Sequence, residues 1–267
     1  MGFNDFEQKS FLNLECEIYY WFKKGNSNNY IILLHGAGCD HFMYEKQIDI
    51  FDNIYNIIVW DARGHGLSKL SKTKKFSFKD MYEDCLVLLK IHEINKAIFI
   101  GQSMGGNLAQ EVAYYNNKIV EKLIIIDSTK NTQKLNIFEK CSIKISRLIF
   151  NWYPWKLLIQ QSANACGNTD YTRNYVRQCF EKMEKENFIE IMMSLFTCLN
   201  EDENIVIKQP VLLICGCHDN SGNIKTAMKI WSEKDKCKLI MIENAGHNSN
   251  QDNPEEVNKN ILLFIKE

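Results

Sequence analysis

The feature that most constrains the fold is a series of short apolar segments separated by amphipathic helical patterns. Each segment is apolar at successive positions, which is typical of strands that are covered on both sides. In α/β proteins this cover comes from the helices that connect parallel strands. We therefore predict an α/β fold with a mostly parallel sheet covered by helices on both faces. The predicted strands occupy residues 30–35, 55–60, 96–101, 122–127, 211–216 and 237–242.

Two stretches depart from this alternation. Residues 11–23 alternate between apolar and polar side chains, which predicts an antiparallel hairpin at the edge of the sheet. Residues 129–209 show helical patterns without a convincing core strand, and Pro210 then precedes the next strand. We predict that residues 1–128 and 210–267 form the core. The stretch between them is predicted to be a helical cap inserted between two core strands.

Composition excludes several classes of protein. The formal net charge is −1, so the chain lacks the excess of Lys and Arg that binding to nucleic acid requires. The N-terminal residues lack the pattern of a secretory signal, and no apolar run approaches the roughly 18 residues that span a bilayer. We expect a cytoplasmic protein that has no integral membrane segment and acts on a small molecule. The sequence carries no signal for an oligomeric state.

The first candidate for chemistry is Ser103, at the centre of a Gly-x-Ser-x-Gly motif. A predicted strand runs directly into the motif, and a helical pattern runs directly out of it. A sharp strand-to-helix turn of this kind exposes the serine hydroxyl, and its crowding requires small residues at Gly101 and Gly105. The alternative is a glycine-rich turn with an incidental serine, but the flanking strand and helix favour a nucleophile.

A serine hydroxyl needs a base to become a nucleophile at neutral pH, and the base needs a carboxylate to orient it. His247 follows the last predicted strand, and Asp219 follows the strand before it. Both should therefore lie at the same edge of the parallel sheet as Ser103. Asp127 also follows a strand and is the alternative carboxylate. We favour Asp219 because it gives the order Ser, Asp, His along the chain.

The tetrahedral oxyanion that forms in acyl transfer requires two hydrogen-bond donors. The N–H of Met104 directly follows the nucleophile and is the first candidate. The second is the N–H of Ala37, in the loop after the first parallel strand, with the N–H of Gly38 as the alternative. Because glycines allow the backbone to approach a ligand closely, we assign Gly36 and Gly38 to the substrate-binding site.

Together these segments resemble the α/β-hydrolase family. The resemblance runs from residue 30 to the C-terminus, and it is interrupted where that family carries a variable helical cap over its pocket. It implies a triad of Ser103, Asp219 and His247, and a structural rather than catalytic role for residues 61–68. The matching motifs are HGAG at 35–38, DARGHGLS at 61–68, GQSMGG at 101–106, GCHD at 216–219 and AGH at 245–247.

The resemblance implies a hydrolase of carboxylic esters that works through an acyl-enzyme. The same machinery also serves thioester or carbon–carbon bond hydrolysis, and peracid formation when peroxide replaces water. A haloalkane dehalogenase is disfavoured, because that chemistry needs a carboxylate where this chain has Ser103. A binding protein without turnover is the alternative from another class. The filled triad positions and oxyanion loop argue against it.

The predicted cap contains a cluster of aromatic residues, and ligand pockets are commonly lined by such side chains. We assign Trp152 and Trp155 to substrate binding and expect an apolar substrate; packing within the cap itself is the alternative. Cys215, Cys217 and His218 lie close together, but no second cluster of ligands faces them in the sequence. We therefore predict neither a metal nor a cofactor.

Overall fold

The computed structural model describes residues 2–71, 73–132, 137–197, 202 and 205–267. Its centre is an eight-stranded sheet in the order β1-β2-β4-β3-β5-β6-β7-β8. The β1–β2 and β2–β4 pairs are antiparallel, and every other neighbouring pair is parallel. The strands are β1 (Glu7–Asn13), β2 (Cys16–Lys23), β3 (Asn29–Leu34), β4 (Tyr55–Trp60), β5 (Ala97–Gln102), β6 (Val120–Ile126), β7 (Val211–Gly216) and β8 (Lys238–Ile242).

The predicted fold class is confirmed, and the edge hairpin begins a few residues earlier than the sequence pattern indicates. Four α-helices, α3 to α6, lie between β6 and β7 in the described part of the chain. The α-helices are α1 (Phe78–Ile91), α2 (Met104–Tyr115), α3 (Ile137–Trp152), α4 (Trp155–Cys166), α5 (Asp170–Glu181), α6 (Lys185–Ser194), α7 (Ile224–Asp235), α8 (Ser249–Asp252) and α9 (Pro254–Lys266). Residues 133–136, 198–201 and 203–204 of the predicted cap lie outside the described residues. Within the described ranges, no helix is long and apolar enough to cross a membrane.

Burial explains why the central strands are apolar at successive positions. Every residue of β5 is buried, and so are the last four residues of β3 and of β6. Helix α2 packs against β3, β5 and β6, while α7 and α9 pack at the other end of the sheet, where both contact β8. Each fully buried Ile, Leu or Phe side chain contributes about 1.5–3 kcal/mol, so these strands supply a substantial part of the apolar core.

Strand register brings the loops of the site together. Gln102 pairs with Ile126, Ile126 with Ile214, and Gly216 with Ile242. These pairs are at or next to the carboxyl ends of β5, β6, β7 and β8. The four segments that leave these strands therefore begin side by side at one edge of the sheet.

The segment after β4, residues 61–68, is held by contacts within the fold. Its Arg63 forms two hydrogen bonds with Asp84 of α1, Nε to Oδ2 at 2.6 Å and Nη2 to Oδ1 at 2.7 Å. Both side chains are buried, with 1 % and 0 % of their surfaces exposed. The Asp61 carboxylate accepts from the N–H groups of His41 and Leu67. These contacts fit the structural role that the family resemblance implies for this turn.

We expect Asp84→Ala to lower the free energy of unfolding by about 3–5 kcal/mol, because it leaves the Arg63 guanidinium buried without its main partner. Urea denaturation of the purified protein measures this. Asp80→Ala is the matched control. Asp80 makes one bond to Arg63, at 3.1 Å, and its side chain is 32 % exposed. Its loss should therefore cost about 1 kcal/mol or less. Equal urea midpoints for the two variants would contradict the assignment.

Candidate active site

Ser103 occupies a strained turn between β5 and α2. Its φ of 49° and ψ of −114° place it in the left-handed half of backbone space, which few residues other than glycine adopt. Close packing explains the glycines on either side. A Cβ atom on Gly101 would collide with the Gly105 carbonyl, and one on Gly105 would collide with the Leu34 carbonyl. The sequence motif thus has the steric basis expected of a turn that exposes a hydroxyl.

The structure joins the three predicted triad residues in one hydrogen-bonded chain. His247 Nε2 lies 3.1 Å from Ser103 Oγ, and His247 Nδ1 lies 2.9 Å from Asp219 Oδ2. Because the carboxylate accepts from Nδ1–H, Nε2 has a lone pair available for the serine proton. The side chain of Gln102 donates to the His247 carbonyl at 2.8 Å and fixes the backbone of the histidine loop. The arrangement can therefore carry a proton from the serine to the imidazole.

Electrostatics favour the charged form of this histidine. Burial is the largest single effect and lowers the pKa of His247, but the charge and hydrogen bond of Asp219, together with the charge of Asp127, outweigh it and raise the pKa above the ordinary value of 6.5. Burial raises the pKa of Asp219, and the contact with His247 reverses this, so that its net pKa lies below 3.8. Asp219 Oδ1 also accepts from the Ser221 N–H at 2.7 Å. Asp219 is thus held ionised beside the base.

Two backbone N–H groups are placed to meet negative charge at this site. Ala37 lines the same cavity as Ser103, and Met104 is the first residue of α2. Among the described residues, neither N–H donates a hydrogen bond. The amino end of a helix carries partial positive charge, which suits a developing oxyanion. Both predicted donors therefore stand free beside the serine.

The predicted binding glycines, Gly36 and Gly38, pack behind the cavity wall. A Cβ atom on Gly36 would collide with the Gln102 side chain, and one on Gly38 would collide with the ring of Phe180. Gly38 also has a φ of 76°, which favours glycine. Neither glycine is among the residues that line the cavity. Their contacts shape the loop that presents Ala37.

A cavity of about 190 Å³ opens beside Ser103 and His247. Its wall on the side of the predicted cap comes from α4, α5, α6 and the turn after α6, and it is mainly apolar. The residues of this wall are Ser162, Ala165, Cys166, Phe180, Phe188, Met192 and Leu195. The remaining lining residues come from the loops at the sheet edge: Ala37, Cys39, Gln102, Ser103, Ser221, His247 and Asn248.

Comparisons with known proteins agree with this architecture. A family model described as the α/β hydrolase fold matches residues 29–153. The uncharacterized hydrolase YugF of Bacillus subtilis is 20 % identical over 93 % of this chain and 94 % of its own length. The 3-oxoadipate enol-lactonase 1 of Acinetobacter baylyi is 23 % identical over 88 % of each chain. The chain has the α/β-hydrolase fold. The solved esterase of Exiguobacterium antarcticum shares its fold, with a TM-score of 0.80, 16 % identity, and coverage of 98 % of this chain and 100 % of the esterase.

Neither predicted tryptophan is among the described residues that line the cavity beside Ser103. Trp152 is 88 % exposed, at the end of α3. Trp155 packs against Phe188 with ring centroids 5.3 Å apart, so it lies behind the wall rather than in it. Phe180 and Phe188 are the aromatic residues that line the cavity, and sequence reasoning missed them. Their positions on the apolar faces of amphipathic helices were the available signal, but this signal does not distinguish packing from pocket.

Three other histidines have different surroundings from His247. His41 stacks on Trp21 with ring centroids 3.4 Å apart and pairs with Asp61 at 2.9 Å. His35 is buried and accepts from the Ala62 N–H through Nε2 at 2.9 Å. His218 lines a separate cleft. None of the three enters the hydrogen-bonded chain of Ser103, His247 and Asp219.

The alternative carboxylate, Asp127, lies beneath the site and does not contact the histidine ring. Within the described residues, potential ligand atoms of Asp127, Cys215 and Asp219 lie within 4.8 Å of one another. The Asp127 oxygens accept hydrogen bonds from Gly216 and Ser249, and Asp219 binds His247. Both carboxylates of this group therefore have hydrogen-bond partners within the protein.

Hydrogen bonds connect the region predicted as a cap to the loops of the site. Asp252 of α8 accepts from the N–H groups of Asn168 and Thr169, between α4 and α5, and also from that of Gly246, each at 2.8 Å. On the other side, the Tyr175 hydroxyl of α5 donates to Asp40 Oδ1 at 3.0 Å, in the loop that carries Ala37. These bonds fix α4 and α5 over the cavity beside Ser103.

We expect the pKa of His247 to lie above 6.5 in the native protein and to fall in Asp219→Asn. The carboxylate raises this pKa, so an uncharged amide of the same shape removes the cause while burial remains. NMR titration of the imidazole measures the pKa without reference to turnover. His92→Gln serves to assign the spectrum, because His92 lies at the C-terminal end of α1 and its ring bonds the Tyr20 hydroxyl, away from the site. An unchanged His247 pKa in Asp219→Asn would contradict the electrostatic assignment.

Proposed function

We propose that this protein is a serine hydrolase that cleaves carboxylic esters with a small, apolar acyl group. The observation that carries the proposal is the chain Ser103–His247–Asp219, with contacts of 3.1 and 2.9 Å, beside a mainly apolar cavity. A hydroxyl, a base and an orienting carboxylate in this order form the standard arrangement for acyl transfer. We further propose that residues 129–209 act as a cap that sets the size of the substrate.

In the proposed reaction, Ser103 Oγ attacks the ester carbonyl as His247 Nε2 takes its proton. The new bond joins Oγ to the carbonyl carbon, and the carbonyl oxygen becomes an oxyanion. Asp219 stabilises the imidazolium that forms and holds the ring in place. The proton then passes from Nε2 to the alkoxide that leaves, and an acyl-enzyme remains on Ser103.

The N–H groups of Ala37 and Met104 are the proposed donors to the oxyanion. Because neither is engaged elsewhere in the described residues, both can donate without breaking another bond. Removal of one such donor typically costs about 10²–10³-fold in kcat.

In the second half of the proposed reaction, water attacks the carbonyl of the acyl-enzyme, with His247 again as the base, and Ser103 is released with the carboxylic acid.

The cavity supports a short acyl group. Its volume of about 190 Å³ is below the range of roughly 300–1,000 Å³ that is common for ligand pockets. The lining by Phe180, Phe188, Met192 and Leu195 offers apolar contact and few polar partners. An enol-lactonase and an esterase are among the similar proteins, and a lactone is a cyclic ester, so the proposed substrates include both open and cyclic esters.

We expect Ser103→Ala to reduce hydrolysis of an activated short-chain ester by on the order of 10⁴-fold or more, because the nucleophile is lost. Spectrophotometric release of the alcohol measures this. A fluorophosphonate probe should label the wild type and fail to label the variant. Ser10→Ala, on the edge hairpin, is the control and should retain full activity. Turnover by Ser103→Ala at the wild-type rate would show that another group carries the reaction.

A panel of esters, lactones, thioesters and vinylogous diketones separates the proposal from its alternatives. The ester proposal expects the highest kcat/KM among esters or lactones. A clear preference for thioesters or for carbon–carbon cleavage would keep the triad and change the substrate class. If the probe does not label Ser103 and no compound turns over, the protein is a binding protein on this fold.

We expect Met192→Ala to shift the preferred acyl chain to a longer one, because it removes side-chain volume from the cavity wall. The ratio of kcat/KM for a hexanoyl ester to that for an acetyl ester should rise several-fold. Trp152→Ala is the control, and its 88 % exposure predicts an unchanged ratio. A flat acyl profile in Met192→Ala, or a shift in Trp152→Ala, would contradict the assignment of the cavity as the acyl pocket.

A further inference from the structure

Asp127 is a fully buried carboxylate that the proposed reaction does not use. It directly follows β6 and has a φ of 46°, in the left-handed region that side chains other than glycine rarely adopt. Its carboxylate accepts three hydrogen bonds: from the Gly216 N–H at 2.8 Å, from the Ser249 N–H at 2.9 Å and from the Ser249 hydroxyl at 2.7 Å. An uncommon backbone conformation and three donors at one buried carboxylate indicate a specific task.

These bonds join the two loops that carry the base and its partner. Gly216 is the last residue of β7 and precedes Asp219 in the same loop. Ser249 is the first residue of α8 and follows His247 in the same loop. One carboxylate therefore sets the distance between the backbones from which Asp219 and His247 project.

The neighbours of Asp127 in the chain also hold the nucleophile. The Ser103 N–H donates to the carbonyl of Ile126 at 2.9 Å, and the Ser128 hydroxyl donates to the carbonyl of Ser103 at 2.8 Å. Residues 126–128 thus contact all three loops of the site. Through these bonds, residues 126–128 hold the backbones of the Ser103, Asp219 and His247 loops relative to one another.

Charge adds to this geometry. Burial, together with the Asp219 charge, raises the pKa of Asp127 to about 7, and the positive charge of His247 and the bonds from Ser249 and Gly216 oppose this rise. Asp219 and Asp127 are the carboxylates that raise the pKa of His247. The Cys215 thiol beside them stays neutral, because burial raises its pKa well above the ordinary value.

We propose that Asp127 is a positioning residue of the triad, whose carboxylate fixes the Asp219 and His247 loops against each other and, in its ionised form, adds negative charge that stabilises the imidazolium. The kinetic part of this inference rests on the proposed ester hydrolysis. A simple structural anchor would hold the loops but would leave the charge of His247 unaffected. The role therefore differs from packing in a way that can be measured.

The test compares Asp127→Asn with Asp252→Asn. The amide that Asp127→Asn introduces has one acceptor oxygen, so it keeps the size of the side chain while it loses the charge and disrupts part of the bonding to Gly216 and Ser249. We expect kcat for an activated ester to fall about tenfold to a hundredfold with little change in KM. The pKa of His247, measured by NMR titration, should fall, because a negative charge is removed.

Asp252→Asn is the matched control, since Asp252 also binds the histidine loop, through the Gly246 N–H at 2.8 Å. It is not among the groups that shift the pKa of His247. We expect its His247 pKa to equal that of the wild type, whatever its effect on kcat. Ser249→Ala removes one bond to Asp127 and leaves the carboxylate in place, so kcat should fall several-fold while the His247 pKa changes less than in Asp127→Asn.

An Asp127→Asn variant that is folded by circular dichroism and has the wild-type kcat or the wild-type His247 pKa overturns the proposal. If Asp127→Asn does not fold, Ser249→Ala decides: a several-fold loss of kcat supports the proposal, and a wild-type kcat overturns it. Failure of the ester proposal is recognised separately, by equal turnover of wild type and Ser103→Ala. The NMR titration of Asp127→Asn then still tests the effect of the charge.

Discussion

Parallel pairing of β5, β6, β7 and β8 determines where reactive groups can meet in this molecule. Parallel strands in one sheet end at the same edge, so the segments after them begin side by side although they are distant in sequence. The serine, the buried carboxylate, the triad carboxylate and the histidine each occupy one of these four segments. No single loop has to be long or unusual, because the sheet has already brought their starting points together.

Desolvation is the cost of this arrangement, and hydrogen bonding offsets it. Three ionisable groups lie at or below 9 % exposure in one small volume, namely Asp127, Asp219 and His247. An unpaired buried charge would cost several kcal/mol, so each oxygen and nitrogen needs a partner. The backbone N–H groups of Gly216, at the end of β7, and of Ser249, at the start of α8, supply two of these partners, and that of Ser221 supplies a third. The same groups that terminate secondary structure thereby stabilise the charges.

Much of the fold could be predicted because its signals are local. Continuous apolar strands, a hairpin that alternates, and glycines whose added Cβ atoms would strike backbone at Gly101 and Gly105 are all visible in the sequence. Chain order then favoured Asp219 over Asp127, although both follow strands. In the structure Asp219 bonds the His247 ring, whereas Asp127 bonds the backbone of Ser249. The residues that line the cavity were harder to predict from the sequence. Trp152 and Phe188 both belong to apolar patterns on helices, and only the packing of one helix on another decides which side chain faces solvent and which faces the cavity.

The order of the three triad residues along the chain has a consequence for the protein during its synthesis. Ser103 precedes His247 by 144 residues, and the helices α3 to α6 lie between them. During synthesis the serine turn therefore precedes the base that, on the proposed function, makes its oxygen nucleophilic. That base comes into place only once β8 has paired with β7 and the loop that follows β8 has formed.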